Sequence, residues 1–415
     1  MKIRSARFVP GLSSFFFDDQ QAIKAGTAQD GFVYDGRALT PGFSAVRQPG
    51  ECVSVLLELE DGGIAVGDCA AVQYSGAGGR DPLFRADHFI AQLDAQLRPW
   101  LEGRDVRRFL EASRALDALT VDGQPLHTAI RYGVSQALLD ATALANRCTK
   151  AEVLCREYAL PAIAEPVPLF GQSGDDRYHG VDKMILKGVD ALPHGLINNV
   201  PEKLGRRGER LLEYVLWIVR RIRRLRPAES YQPVLHLDTY GTIGLAFEQD
   251  PVAITDYLAR LGEAAAPHRL YIEGPVDAGG KAAQMEALAT LRRRLRECGA
   301  DVRLVADEWC NNFQDVVDFS DAGCCDMVQI KTPDLGAVHN VVEAIRHARD
   351  RGVEAYQGGT CNETDVSARC CVHLALAARP ERMLVKPGMG FDEGMTIVAN
   401  EMHRALAVMR ARRAP

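Results

Sequence analysis

The sequence predicts an α/β protein built as an N-terminal α+β capping domain over residues 1–160 followed by a (β/α)8 TIM-type barrel over residues 161–415. Two observations carry that prediction. Beyond Pro161, short apolar runs alternate with helical stretches, and eight can be counted: VPLFGQ, KMILKG, PVLHLD, RLYIEG, VRLVAD, MVQIKT, EAYQGG and RMLVKP. Four of these runs end on a charged residue, Asp238, Glu273, Asp307 and Lys331, each separated from the next by roughly the chain that a strand, a helix and two loops consume. Parallel strands at that spacing would project all four charges from one end of the barrel, onto a common point.

Composition narrows the class. The 415 residues are 47% hydrophobic and 25% charged, enough apolar material for a large core with a mixed-charge surface. A net charge of -6 and a pI near 6.0 speak against nucleic acid as a partner, because a phosphate-binding surface shows itself as a basic excess. The arginine runs WIVRRIRRLR and LRRRLRE are read instead as solvated helix faces, since leucine and isoleucine recur between the arginines at helical spacing. The 11 cysteines include no C-x-x-C pair, so neither a disulfide framework nor a structural zinc site is expected, and a reducing cytoplasm fits best. MKIRSARFVPG lacks the apolar core of a signal peptide, and no apolar stretch approaches the length of a membrane span, so a soluble intracellular protein without membrane partners is expected.

In the N-terminal part, ECVSVLLELE and GIAVGDCAAVQ flank Asp61-Gly62-Gly63 and predict a hairpin, with helical patterns following from about Pro82 to Arg147. GAGGRD at residues 76–81 resembles a phosphate-binding turn only superficially, because it follows a hairpin and does not open a βαβ unit. After the second barrel run, KMILKG, the connection is unusually long, from about Gly188 to Arg226. It holds the polar loop DALPHGLINNV, with His194, and then an amphipathic helix, GERLLEYVLWIVRRIRRLR, suited to the outside of the barrel.

Asp238, Glu273 and Asp307 are hard oxygen donors with no His or Cys at their own strand ends, a set that favours Mg2+ over zinc or copper. The competing reading is that each acid caps the helix after its strand. Glu273 precedes Gly-Pro and so suits a loop, and Asp307 is followed by a further acid, Glu308. Lys331, in QIKTPD, would have its ammonium form disfavoured by a nearby cation and partial burial, which suits a general base; the bland alternative is a salt bridge to Asp334. Strand alternation places Gln329 on the same face as Lys331. His194, in a loop between the second and third strands, can approach from the opposite side. In GGTC, two glycines let the backbone N–H groups of Thr360 and Cys361 come close to an anion; no His lies near Cys361 in sequence to make it a nucleophile. A base beside a hard cation points to proton abstraction next to a carboxylate, with the cation neutralising the enediolate that forms.

The runs VQYSGAGGRDPLF, QSGDDRY, LPH-LINNV, IEGP, VADEWCN, VQIKTPDLG, GGTCNET and KPGMG-DEGM resemble those of the methylaspartate ammonia-lyases, enolase-superfamily enzymes, from the KIR start nearly to the C-terminus. The resemblance implies an enolase-like fold, a homodimer and reversible elimination of ammonia from (2S,3S)-3-methylaspartate to mesaconate, in glutamate degradation. It also implies Mg2+ and a monovalent cation such as K+ as cofactors. By it Asp238, Glu273 and Asp307 become the Mg2+ ligands and Lys331 the base for the C3 proton. His194 becomes the group on the opposite face, assisting the intermediate and serving the 3R epimer. Gln172, Gln329, Thr360 and Cys361 would hold the substrate carboxylates and ammonium, with Gln73 closing the pocket, while Phe170, Tyr356 and Leu384 would surround the methyl group. Taken on the residues alone, Phe170, Tyr356 and Leu384 read as barrel core, and Gln73 and Gln172 as loop amides. Gly195 and Gln357 depart from the family pattern without removing a chemical group. Other enolase-superfamily reactions (cycloisomerase or acid-sugar dehydratase), a Schiff-base enzyme using Lys331 and a non-catalytic scaffold are the alternatives.

Overall fold

The computed structural model describes residues 1–76, 79–161, 163 and 165–412. GAGGRD therefore falls partly outside the described residues.

The N-terminal region is built on a three-stranded antiparallel sheet, β1 (Ile3–Asp18), β2 (Arg47–Leu59) and β3 (Ile64–Ala70), in that order. The hairpin expected around Asp61 joins β2 to β3. Gly62 supplies the positive φ of 86° that the turn needs, and Gly63 N–H donates to Asp61 Oδ1 at 3.0 Å. The long edge strand β1 was not expected. Its polar-apolar alternation is interrupted by Pro10 and Gly11 and by register shifts between Ile3 and Ser5 and between Leu12 and Phe16, so its strand character comes from pairing with β2. The helical stretch after Pro82 resolves into several helices ending in α1 (Thr128–Ala145), which lies against the sheet. Gly67 of β3 and Gly133 of α1 face each other at this contact. A Cβ on Gly67 would overlap Gly133 O, and one on Gly133 would overlap Cys69 N, so both positions exclude a side chain.

The barrel is closed and wholly parallel, with strands β4 (Leu169–Phe170), β5 (Ala191–His194), β6 (Val234–Asp238), β7 (Leu270–Glu273), β8 (Val302–Ala306), β9 (Met327–Ile330), β10 (Glu354–Gln357) and β11 (Arg382–Leu384). Seven of the eight apolar runs fall on these strands. KMILKG does not: it closes the helix Arg177–Leu186, where Val181, Met184 and Ile185 are buried at helical spacing. The second strand is ALPH, inside what reads as a polar loop, so His194 is a strand-end residue. A short strand holding one proline and one histidine has no apolar signature, and its place is set by ladders with its neighbours.

The helix after that connection, Glu209–Leu225, buries Leu211, Tyr214, Val215, Ile218 and Ile222 on one face and leaves Arg220, Arg223 and Arg224 exposed, as the arginine run predicts. Among the described residues no helix is long and apolar enough to cross a membrane.

Candidate active site

Parallel register brings the functional side chains to one end of the barrel. Asp238 pairs with Glu273, and Leu237 pairs with His194, so β5, β6 and β7 end together. Candidate ligand atoms of His194, Asp238 and Glu273 all lie within 4.8 Å of one another, and His194 Nε2 is 3.5 Å from Asp238 Oδ2. The carboxylates therefore have a histidine beside them, from the end of the neighbouring strand. Asp307, just past β8, stands next to this group but is engaged elsewhere: its Oδ1 lies 2.7 Å from Lys331 Nζ. The alternative partner of Lys331, Asp334, is instead paired with Arg80 at 2.8 Å.

Glu273 is the most enclosed of the acids, with no exposed surface. Its oxygens accept from the Tyr356 hydroxyl at 2.8 and 2.9 Å, from the Gln329 amide at 3.0 Å and from His236 Nε2 at 2.8 Å. The other ring nitrogen of His236, Nδ1, lies 3.4 Å from Arg382 Nη1, which can only donate; the Nε2 proton is thereby directed at Glu273. Burial pushes the His236 pKa well down, so the ring is neutral. His236 was not singled out from the sequence. It lies two residues before Asp238 on the same strand and hence on the same face, which is the signal that could have found it.

Phe170 and Tyr356 are placed differently from the expectation. Phe170 stacks on His236 with ring centroids 4.3 Å apart, and Phe170 and Tyr356 belong to an apolar layer inside the barrel with Tyr271, Val305 and Met327. Neither of them lines the cavity. Leu384 shares that layer and also reaches the cavity.

The cavity itself is small, about 100 Å³. Gln73, Gln172, Gln329, Thr360 and Cys361 all line it, together with His194, Asp238, Asp307 and Lys331. Gln73 donates to Asp18 Oδ2 at 2.6 Å and accepts from Cys361 Sγ at 3.4 Å, tying the N-terminal region to the GGTC turn. Gln172 is held by the carbonyls of Val385 and Gly388. Gln329 Oε1 is buried with no hydrogen-bond partner, an acceptor left for a donor from the cavity. Two further charged residues line the space without having been assigned a role, Arg80 and Glu308.

Electrostatics at this mouth are unbalanced. Burial, then the charge of Asp307, pushes the Asp238 pKa well up; burial, then Asp238 and Asp307, does the same to Glu273, and burial with Asp307 raises Glu308. Lys331 runs opposite to its expected shift. Burial acts to lower its pKa and Arg80 adds to that, but Asp307 at contact distance, with Glu308 and Asp334, more than offsets them and favours the ammonium. His194 is pushed down to about 4, chiefly by burial, and is a neutral imidazole at physiological pH. Several buried carboxylates facing one buried amine form a hard, anionic donor set whose excess charge a divalent cation would neutralise, and the residues present fit one.

A closed parallel barrel of this form, preceded by an α+β region, is an enolase-like fold. The muconate lactonizing enzyme of Pseudomonas fluorescens shares it with a TM-score of 0.59 over 90% of this chain and 84% of that one, a likeness of fold alone at 16% identity. The chain belongs to the methylaspartate ammonia-lyase family: models of that family's N-terminus and C-terminus match residues 1–159 and 161–411. Relatives named methylaspartate ammonia-lyase include those of Citrobacter amalonaticus, 62% identical over 99% of this chain and 100% of its own, and Clostridium tetanomorphum, 54% identical over 100% of each. The Citrobacter structure containing (2S,3S)-3-methylaspartic acid matches with a TM-score of 0.98 at 63% identity, covering 99% of this chain and 100% of that chain. The clostridial structure, a Mg complex, matches at 0.96 and 54%, covering 100% of both chains.

Proposed function

We propose that this chain catalyses the reversible elimination of ammonia from (2S,3S)-3-methylaspartate to mesaconate, as a cytoplasmic homodimer in glutamate degradation. Residues 1–160 act as a capping domain over a barrel of residues 161–415. The observation that carries the reading is a small cavity with Lys331 and His194 both on its wall beside Asp238 and Asp307, in a chain so similar to a relative whose structure contains this amino acid. Asp238, Glu273 and Asp307 would hold Mg2+, with His194 within reach of the first two, and a K+-type ion is the second cofactor. When bound, Mg2+ supplies the positive charge that stabilises an enediolate carboxylate.

The rest falls to the chain's own side chains. Lys331 Nζ removes the C3 proton, which requires that it first be free of Asp307 and uncharged. His194, neutral and buried, would assist the intermediate from the face opposite Lys331 and serve the 3R epimer. The neutral amides of Gln73, Gln172 and Gln329, with Thr360 and Cys361, hold carboxylates and ammonium, since amides both donate and accept. Gln329 Oε1, unpartnered and buried, suits the ammonium. Leu384 meets the methyl group; Phe170 and Tyr356 support the floor beneath it.

The test is to follow mesaconate absorbance from purified, chelator-treated protein given 3-methylaspartate, with Mg2+ and K+ added separately and together. Product that needs Mg2+ and rises further with K+ is expected. Well-folded protein that makes no mesaconate under any ion condition would overturn the reading.

A further inference from the structure

Lys386 and Glu363 form an ion pair at 2.8 Å with neither side chain exposed, and the proposed chemistry uses neither. A buried pair of this kind stabilises a fold little better than apolar residues of the same volume. Its contacts show a different use. Lys386, just after β11, donates to Glu363 Oε1, to Thr332 Oγ1 at 2.9 Å and to the Gly358 carbonyl at 2.8 Å, which accounts for all three of its protons. The Thr332 hydroxyl donates to Glu363 Oε1 at 2.7 Å, and the Thr360 N–H reaches the same oxygen at 3.4 Å. Glu363 Oε2 accepts from the Tyr132 hydroxyl at 3.0 Å, from α1 of the N-terminal region.

These contacts join the two walls of the cavity. Thr332 follows Lys331 in the chain, and Gly358 and Thr360 belong to the turn that carries Thr360 and Cys361. The ladder between β9 and β10 ends with Ile330 opposite Gln357, so beyond that point their own pairing no longer sets the spacing of these two segments. The ion pair begins where the ladder stops. Gly359 makes the arrangement possible: its φ is 145°, and a Cβ there would overlap Glu363 Oε1.

We infer that the Lys386–Glu363 pair is a positioning device that sets the placement of Lys331 relative to the Thr360–Cys361 turn, and through Tyr132 relative to the N-terminal region. The inference rests on the reaction proposed above. Two variants of the full-length, Mg2+-loaded protein test it, each read by melting temperature, by kcat and KM, and by amide hydrogen exchange. The double variant Lys386→Met/Glu363→Leu removes both charges and so leaves none unpaired. It is expected to melt within a few degrees of wild type, while kcat falls about 100-fold with KM changed much less. Exchange should accelerate in peptides covering Lys331–Leu335 and Gly358–Glu363 and not elsewhere. Thr332→Val keeps the ion pair and breaks only its link to the lysine segment, with kcat falling about tenfold; it decides the matter if the double variant does not fold. A folded variant with wild-type kcat overturns the inference. Should wild type itself show no lyase activity, the proposed reaction fails, and exchange then decides: acceleration confined to the two segments supports the positioning role, and unchanged exchange overturns it.

Discussion

Two buried carboxylate clusters sit close together at the same end of this barrel, one with excess negative charge and one balanced. At the mouth, Asp238, Glu273, Asp307 and Glu308 face Lys331, and the other nearby cation, Arg80, is already tied to Asp334. A strand away, Glu363 faces Lys386, and every proton of the lysine has an acceptor. A balanced buried pair costs little to keep and holds segments in register; an unbalanced one stores repulsion that a bound cation relieves. The contrast separates residues that bind from residues that position, although both are ion pairs with a lysine.

The contrast can be broken first at the lysines. Lys331→Ala should lower kcat about 10³-fold, as expected for loss of a general base, and, because it leaves Asp307 buried without its ammonium, should lower the melting temperature of the metal-free protein as well, by mesaconate absorbance and a thermal melt. Glu363→Gln leaves Lys386 charged and buried without its partner, and should cost about 3–5 kcal/mol in urea unfolding. Gly359→Ala tests the room the pair requires: overlap with Glu363 and a positive φ should together cost about 2–3 kcal/mol, by the same measurement.

The smallest expected effect sharpens the comparison by its sign. Asp238→Asn removes one repelling charge, so the metal-free protein should melt slightly higher than wild type while losing most of its stabilisation by Mg2+. In wild type, the folded-state pKa values of Asp238 and Glu273 lie above their unfolded values, so the folded state binds more protons and metal-free stability from these groups is lost as pH rises through the raised values. Mg2+ needs the deprotonated acids, so the gain in melting temperature on adding it should grow as pH rises through the raised values of Asp238 and Glu273. A gain that is flat or falls with pH would mean these acids are not the ones that meet the ion.

Reading the chain alone recovered the barrel and the four charged strand ends because both are local: an apolar run, a charged residue and a helix recur within one βα unit, and the parallel register then aligns the ends. The resemblance added Gln73 and Gln172, while Thr360 and Cys361 were already marked by the glycines before them; all four line the cavity. Where the local signal was absent, the reading failed. Strand β1 is made by pairing with β2, and ALPH is a strand only because its neighbours accept it. Helical spacing took KMILKG away from the sheet. GGTC was read as glycine making way for an anion, whereas Gly359 makes way for Glu363.

The sequence by itself thus determined the fold class, the acids and lysine at the strand ends, and the chemistry that this set of groups can perform. The tertiary structure alone decided which charge faces which: that Lys331 holds Asp307, that His236 and Tyr356 hold Glu273, and that Lys386 joins two segments of the cavity wall. Those partners lie far apart along the chain and meet only when the barrel closes. Burial then multiplies the weight of each pairing, because with water excluded every charge must be answered by a neighbour.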